Sequence, residues 1–234
     1  MLVSMDPLSQ ESKDILSSWG EERNIKVHDI LELEELGRAH LINPLPATPE
    51  TLATICYTSG TTGNPKGVLL THGNLASTTY AYLHMFDLNS ETCMMSFLPL
   101  AHIYQRIMEF CVIALGGRVG YTTGDPTLLL EDLRVMRPTF MPSVPRVLNR
   151  LYQSAIVAGS VPGLKGALFK RAVQTKLETL RTTGQATHAL WDRLVFKKLH
   201  DVLGGRMKMI TCGSAPISAT VMDFLRIALG CEVI

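Results

Sequence analysis

Cysteine is scarce and irregularly spaced in this sequence. The chain of 234 residues has five cysteines, an odd number, and none of them forms a C-x-x-C pair with another. This spacing predicts neither a zinc site nor a disulfide framework. Most of the cysteines stand in apolar runs, where a thiol behaves as a small buried hydrophobe. We therefore expect a reduced protein in an intracellular setting.

Net charge and long apolar runs are also lacking. The formal net charge is +1, which gives no reason to expect nucleic acid or an acidic partner. No apolar run is long enough to cross a bilayer, and the first ten residues, MLVSMDPLSQ, lack the regions of a signal peptide. Contact with a membrane surface stays open. A hydrophobic share of 46% and a charged share of 18% are typical of a globular α/β domain.

The most informative stretch, from Tyr57 to His72, reads YTSGTTGNPKGVLLTH. Short apolar runs on both sides predict two strands. Between them, glycines let the main chain approach a ligand closely, and successive backbone amides in such a turn form a concave anion site. Lys66 adds a positive charge. The stretch therefore suits a polyphosphate, although a flexible surface turn is the alternative.

This loop is not the common phosphate loop G-x-x-x-x-G-K-[ST]. Pro65 stands where that motif has its second glycine, and Gly67 follows Lys66 in place of the hydroxyl residue that holds magnesium. The sequence therefore departs from the phosphate loop of kinases and GTPases at two positions, which excludes that interpretation.

The segment YTSGTTGNPKG instead resembles the phosphate-binding signature of the AMP-forming adenylating enzymes, which include acyl-CoA synthetases, luciferases and peptide-synthetase adenylation domains. The resemblance implies activation of a carboxylate by ATP as an acyl-adenylate, followed in most members by transfer to a thiol. It also implies that the loop wraps the β- and γ-phosphates of ATP. The implied phosphate-binding residues are Thr58, Ser59, Gly60, Thr61, Thr62, Gly63 and Lys66.

Strand-like and helix-like patterns alternate along the chain. This order predicts an α/β fold with mostly parallel sheets flanked by helices, in which ligands sit at the carboxyl ends of strands. We expect the glycine-rich loop and His102 to lie there. The predicted strands are residues 2–5, 25–27, 52–57, 68–70, 93–99, 118–121, 139–142, 207–211 and 232–234. The predicted helices are residues 9–19, 30–37, 72–86, 103–115, 127–137, 144–150 and 219–229.

The segment LPLAHIYQR, residues 98–106, places His102 after a predicted strand, beside Tyr104 and Arg106. Such side chains can meet a carboxylate or a phosphate, but a single histidine is more often structural. The acyl-CoA synthetases carry a similar segment. The resemblance implies that His102 is the catalytic-site residue beside the carboxylate and adenylate, with Tyr104 and Arg106 on the substrate side.

Two further segments are similar to acyl-CoA synthetases. RPTFMPSVPRVLNR resembles the long-chain branch and adds Val144 and Arg146 to the substrate side, although a helix with exposed arginines is the alternative. A small-residue turn lets a flat ring lie against the backbone, and in the family such a turn packs against adenine. The matching residues are Gly213, Ser214, Ala215 and Pro216.

Residues 159–205 are predicted to be a helical, basic insert, with Lys165, Lys170, Arg171 and Lys176 on or near one helix. An ordinary solvated face is one interpretation. Attraction to the phosphates of CoA or to an anionic membrane surface is another.

The resemblance covers residues 1–234 as a portion of the large N-terminal domain of the acyl-CoA synthetase fold. We expect the rest of that domain, including the motif for phosphate and magnesium, and the C-terminal small domain to be absent. No metal ligand is predicted, and little ligase activity is expected from this chain alone.

The leading hypothesis is that this chain is part of a long-chain fatty acid–CoA ligase, which uses ATP, Mg²⁺ and CoA. The alternatives are adenylation of another carboxylic acid and a non-catalytic nucleotide-binding fragment. The implied location is intracellular, on the cytoplasmic side, with the endoplasmic reticulum, peroxisome or lipid droplet as candidate membranes.

Overall fold

The first 47 residues contain a small pair of parallel strands. The computed structural model describes residues 1–58 and 63–234, and the chain divides into two units, Met1–Ala47 and Thr48–Ile234. The elements of the first unit are β1 (Leu2–Ser4), α1 (Gln10–Glu21), β2 (Val27–Asp29) and α2 (Ile30–Ala39). The side chain of Asp29 accepts a hydrogen bond from the N–H of Glu32 at 3.0 Å and so caps the N-terminus of α2.

The second unit contains two sheets. The strands β3 (Leu52–Thr58) and β4 (Lys66–Thr71) pair antiparallel, and five strands form a parallel sheet in the order β6-β5-β7-β8-β9. The parallel strands are β5 (Cys93–Ser96), β6 (Arg118–Tyr121), β7 (Phe140–Ser143), β8 (Met209–Cys212) and β9 (Glu232–Val233). The predicted fold class is confirmed.

Helices connect the parallel strands and cover both faces of the sheet. They are α3 (His72–Met85), α4 (Ile103–Ala114), α5 (Leu129–Met136), α6 (Pro145–Gly159), α7 (Leu164–Thr183), α8 (Ala189–Trp191), a π-helix (Asp192–Phe196), α9 (Lys197–Val202) and α10 (Ala219–Leu229). In the described part of the chain, none of the helices has the length and apolar character needed to span a membrane.

Neighbouring residues of the central strands point to opposite faces of the sheet. Met94 and Phe140 belong to a core cluster with α4, whereas Met95 and Met141 belong to a second cluster with α6, α7 and α10. All four side chains are 0–1% exposed. Burial on both faces explains why β5 and β7 read as continuous apolar runs.

The sequence predicted that the glycine-rich loop lies at the carboxyl ends of the parallel strands. This prediction is wrong in one respect, because the strand before the loop is not part of the parallel sheet. The loop joins β3 to β4, which pair antiparallel, with Tyr57 opposite Gly67. The connection between Thr58 and Lys66 is much shorter than the dozen or more residues that a parallel crossover needs. The chain therefore has to return beside the strand that it has just left.

The interpretation of the basic insert as a solvated face is wrong for Lys176. Its side chain is 1% exposed, and its ammonium donates hydrogen bonds to the Asp192 carboxylate and to the carbonyl oxygen of Ile227. The ammonium also lies 4.7 Å from the ring centroid of Phe196. These partners explain why a lysine is tolerated in the core between α7, the π-helix and α10. Lys165, Lys170 and Arg171 are exposed, as predicted.

Candidate functional site

Three of the predicted site segments meet at one edge of the parallel sheet. The residues before α4 follow β5, Val144 follows β7, and the turn that begins at Gly213 follows β8. The three strands are neighbours in the order β5-β7-β8 and run in the same direction. Their carboxyl ends therefore bring these segments together, at the position where α/β sheets bind ligands.

Tyr104 connects the segment after β5 to the turn after β8. Its hydroxyl lies 2.7 Å from Oγ1 of Thr211, at hydrogen-bond distance. A Cβ atom added to Gly213 would lie 2.7–2.9 Å from ring carbons of Tyr104, so glycine alone lets the ring and the turn come this close. Burial raises the pKa of Tyr104 to about 12, although the bond to Thr211 acts in the opposite direction. The phenol is therefore neutral near pH 7, and its hydroxyl is paired with Thr211.

The turn after β8 has an unusual and exposed backbone. Ser214 has φ = 73°, a left-handed conformation that side chains other than glycine seldom adopt. The N–H of Gly213 donates to the carbonyl oxygen of Ser143 at 3.1 Å, which holds the turn against β7. Ser214, Ala215 and Pro216 are exposed. Small side chains on a fixed, strained backbone offer a surface on which a flat ring can lie.

The buried hydroxyl of Ser143 lies directly beneath this turn. Ser143 is 0% exposed, and its Oγ has no hydrogen-bond partner among the described residues. A buried hydroxyl without a partner is energetically unfavourable.

His102 and Arg106 differ in what they contact. His102 is exposed at the N-cap of α4, and its ring makes no capping hydrogen bond in the described part of the chain. Arg106 donates to the carbonyl oxygen of Leu100 at 2.9 Å and to Oγ1 of Thr54 at 3.0 Å. The guanidinium thus ties β3 to the segment after β5. A contact between Arg106 and substrate stays a prediction.

The β3–β4 hairpin, whose strands flank the glycine-rich loop, contacts the segment after β5. Sγ of Cys56 lies 3.9 Å from the carbonyl oxygen of Ala101, the residue before His102. Thr58, two residues further along β3, pairs with Lys66, and its hydroxyl donates to the Lys66 carbonyl oxygen at 3.4 Å. Lys66 is exposed, and Gly63 has φ = 111°. The predicted residues Ser59, Gly60, Thr61 and Thr62 lie outside the described residues.

Val144 and Arg146 stand beside the same edge. Val144 is the N-cap residue of α6, and Arg146 is exposed in its first turn, after Pro145. Proline at this position fits the helix start that the sequence predicted. Neither residue has a contact that defines a role, so their assignment to the substrate side stays a prediction.

A buried polar network behind α4 was missed by sequence reasoning. Ser96 Oγ donates to Glu109 Oε1 at 2.5 Å, Gln105 Nε2 donates to Ser96 Oγ at 3.1 Å, and the Tyr121 hydroxyl donates to Glu109 Oε2 at 3.2 Å. The network fixes the first turns of α4, and so the backbone of Tyr104, against β5 and β6. Gln105 and Glu109 stand four residues apart in an apolar helix, which is the signal that could have revealed them.

The donor set fits a nucleotide better than a resident metal ion. Among the described residues no group of three histidine, cysteine, aspartate or glutamate side chains could hold a metal ion. The edge instead offers the exposed small-residue turn with its hydroxyl and backbone amides, and the adjoining hairpin carries the exposed Lys66 at its end. These groups suit phosphates and a flat ring.

Comparison with known proteins agrees with this chemistry. The family model described as "AMP-binding enzyme" matches residues 3–234. The chain is 41% identical over 236 residues to long-chain-fatty-acid–CoA ligase 1 of Homo sapiens, covering 99% of this chain and 33% of that protein. It is 42% identical over 234 residues to the peroxisomal long chain acyl-CoA synthetase 6 of Arabidopsis thaliana, a match that covers 100% of this chain and 33% of that protein. The chain therefore spans about a third of the length of these curated relatives.

Among solved structures, the adenylation domain of a carboxylate reductase from Mycobacterium chelonae is similar, with a TM-score of 0.70 and 22% identity. The match covers 96% of this chain and 32% of that one, and it shows a shared fold. Because the family model matches almost the entire chain and the relatives agree with it, this protein belongs to the family of AMP-binding enzymes.

Proposed function

We propose that this chain supplies the ATP-binding part of an AMP-forming long-chain fatty acid–CoA ligase. The observation that carries the proposal is the meeting of the segments after β5, β7 and β8 at one sheet edge, beside the hairpin that holds the glycine-rich loop. The names of the relatives support a long-chain fatty acid as the substrate and CoA as the acceptor.

Each segment has a distinct role in this proposal. Residues 58–66 hold the β- and γ-phosphates, with Lys66 as the positive charge. The turn from Gly213 to Pro216 supports the adenine, and His102 lies beside the fatty carboxylate. That carboxylate attacks the α-phosphorus of ATP as pyrophosphate leaves, and the CoA thiol then displaces AMP from the acyl-adenylate.

The chain's own residues stabilise charge and fix geometry in this reaction. Preorganised donors aimed at developing charge usually supply much of the catalytic effect. Lys66 and the hydroxyls of the loop serve the leaving pyrophosphate. Mg²⁺, when bound, would neutralise phosphate charge, and we propose that most of its ligands come from outside this chain. Tyr104 remains neutral and closes the site behind the adenine turn.

The proposed location is intracellular, on the cytoplasmic side of a membrane that supplies fatty acids. The peroxisomal name of the Arabidopsis relative supports the peroxisome as one candidate. The endoplasmic reticulum and the lipid droplet are the others.

The proposal is tested in a chimaeric enzyme in which this chain replaces the matched third of the human relative. We expect palmitate-dependent exchange between ATP and pyrophosphate. Lys66→Ala should slow the exchange by about 100-fold, as removal of one charge-stabilising donor does in other enzymes. The matched control is Lys208→Ala, because Lys208 is exposed at the amino end of β8, away from the site.

Two results would contradict this proposal. An unchanged adenylation rate in Lys66→Ala would remove this lysine from the mechanism. A folded chimaera that binds ATP without any acid-dependent exchange would favour a non-catalytic nucleotide-binding module. A panel of palmitate, octanoate and coumarate separates a long-chain ligase from an enzyme for shorter or aromatic acids.

The chain by itself is expected to have little ligase activity, because its relatives are about three times as long. Robust fatty-acid-dependent pyrophosphate exchange by the isolated 234 residues would refute this expectation.

A further inference from the structure

Positive charge is concentrated in one part of the chain. Residues 145–198 contain ten lysines and arginines but only two acidic residues, Glu178 and Asp192, which gives this segment a formal charge of +8. The whole chain has a charge of +1, so the other 180 residues carry −7. One of the ten positive charges, on Lys176, is buried against Asp192. A strong positive field therefore comes from exposed side chains of α6, α7, the π-helix and α9.

Aliphatic side chains are exposed at the end of α6, in the connection to α7 and in the first turns of α7, within this positive region. Val157 is 72% exposed, Leu164 is 78% exposed, and Val161 and Leu168 are 39% and 42% exposed. We call these four residues the apolar tip. Lys165, Lys170 and Arg171 are also exposed on α7. Large aliphatic side chains interleaved with basic ones are typical of segments that lie on a membrane surface.

The backbone of the apolar tip is closely packed. A Cβ atom added to Gly159 would lie 2.4 Å from the ring of Phe169, and one added to Gly166 would lie 1.8 Å from the carbonyl oxygen of Val161. Gly163, between them, has φ = 83°. Glycine is therefore required for this turn. The backbone that carries these aliphatic side chains is therefore restricted to one conformation.

We propose that the apolar tip and the basic residues around it bind the surface of an anionic lipid membrane. The aliphatic side chains enter the boundary between headgroups and acyl chains, and the lysines and arginines contact the negative headgroups. Charge complementarity favours this partner. The phosphates of CoA would need a few convergent cations, whereas these charges are spread over several helices, and the exposed aliphatic side chains have no role in binding phosphate.

Vesicle sedimentation tests the proposal with the 234-residue chain and without ATP, so the result is independent of ligase activity. We expect binding to phosphatidylcholine vesicles that contain about 30% phosphatidylserine, and much weaker binding to phosphatidylcholine alone. Raising the salt from about 0.1 M to about 0.5 M should release most of the chain, because the Debye length shortens.

Two sets of variants separate the apolar and electrostatic parts. Leu164→Ser with Leu168→Ser should weaken binding about tenfold or more, and Lys165→Gln, Lys170→Gln and Arg171→Gln together should weaken it by about 100-fold. Matched controls outside the segment are expected to bind as the parent does. The controls are Leu41→Ser with Ile42→Ser, both 86% exposed, and Lys26→Gln, Arg118→Gln and Arg206→Gln together.

Several results would overturn the proposal. These are equal binding to neutral and anionic vesicles, no binding to either, unchanged binding of the double serine variant, or displacement from the vesicles by millimolar CoA. The last result would identify a nucleotide-phosphate site instead. If the serine variant loses its helical circular dichroism, Leu164→Trp replaces it. Brominated lipid should then quench this added fluorescence, and an absence of additional quenching would contradict insertion.

Discussion

The parallel sheet and the β3–β4 hairpin differ sharply in how they are stabilised. Every residue of β5 and β7 is buried, whereas the hairpin leaves Ile55 48%, Leu69 64% and Tyr57 72% exposed. A two-stranded hairpin is marginal when it stands alone. The sheet therefore provides a rigid platform for the turn that begins at Gly213, and the proposed phosphate loop is carried by the least buried β element of the second unit.

The largest expected effect contrasts one leucine from each region. Leu148 on α6 is 0% exposed, and Leu148→Ala should lower the free energy of unfolding by about 2 to 5 kcal/mol, because it leaves a cavity beneath the sheet. Leu69→Ala on β4 should change it by less than about 0.5 kcal/mol. Urea denaturation followed by circular dichroism measures both. Equal losses would show that the hairpin is part of the same cooperative core.

A glycine substitution tests the link between the platform and the site. In Gly213→Ala the new methyl group would clash with the Tyr104 ring, and such overpacking typically lowers stability by about 1 to 3 kcal/mol. In the chimaeric ligase the Michaelis constant for ATP should rise. Addition of Tyr104→Leu removes the ring and should restore part of the stability. A fully stable Gly213→Ala protein with normal ATP binding would show that the close contact is unimportant.

Loss of one hydrogen bond provides a finer test of the same link. Thr211→Val keeps the shape of a side chain that is 3% exposed but removes the partner of the Tyr104 hydroxyl. We expect a loss of about 1 kcal/mol in the free energy of unfolding. Unchanged stability of Thr211→Val in urea denaturation would show that the hydrogen bond contributes nothing.

The smallest expected effect concerns pH and the helices that cover the sheet. Burial lowers the pKa of His200 below 6.5, although the Asp192 charge nearby acts in the opposite direction. Below pH 6.5 the unfolded chain takes up this proton first, so stability falls until the pH reaches the lower pKa of the folded state. The free energy of unfolding should therefore fall more steeply between about pH 7 and about pH 5 in the parent than in His200→Gln. Parallel pH profiles would exclude His200 as the cause.

Local sequence patterns predicted the sheet well because its signals are local. The apolar runs at Cys93–Ser96 and Phe140–Ser143 can be buried only between two helical layers, and Ser218 caps α10, which spans the predicted Ala219–Leu229. The antiparallel hairpin was also predictable, from the short connection between Thr58 and Lys66.

The remaining features depend on residues that are distant in the sequence. Lys176 is buried because Asp192 and the carbonyl of Ile227 meet it, and Arg106 contacts Thr54 across 52 positions. The pairing of Tyr104 with Thr211 spans 107 positions. Such contacts are set by the packing of whole elements, which periodicity does not encode.

Hydrogen–deuterium exchange in the chimaeric ligase tests most directly whether the hairpin and the sheet edge form one ATP site. With ATP present, amides in residues 58–66, 98–106 and 213–218 should become protected together. Those around Lys208, at the amino end of β8, should not change. Protection confined to one of these segments, or none in any of them while ATP is bound, would contradict a shared site.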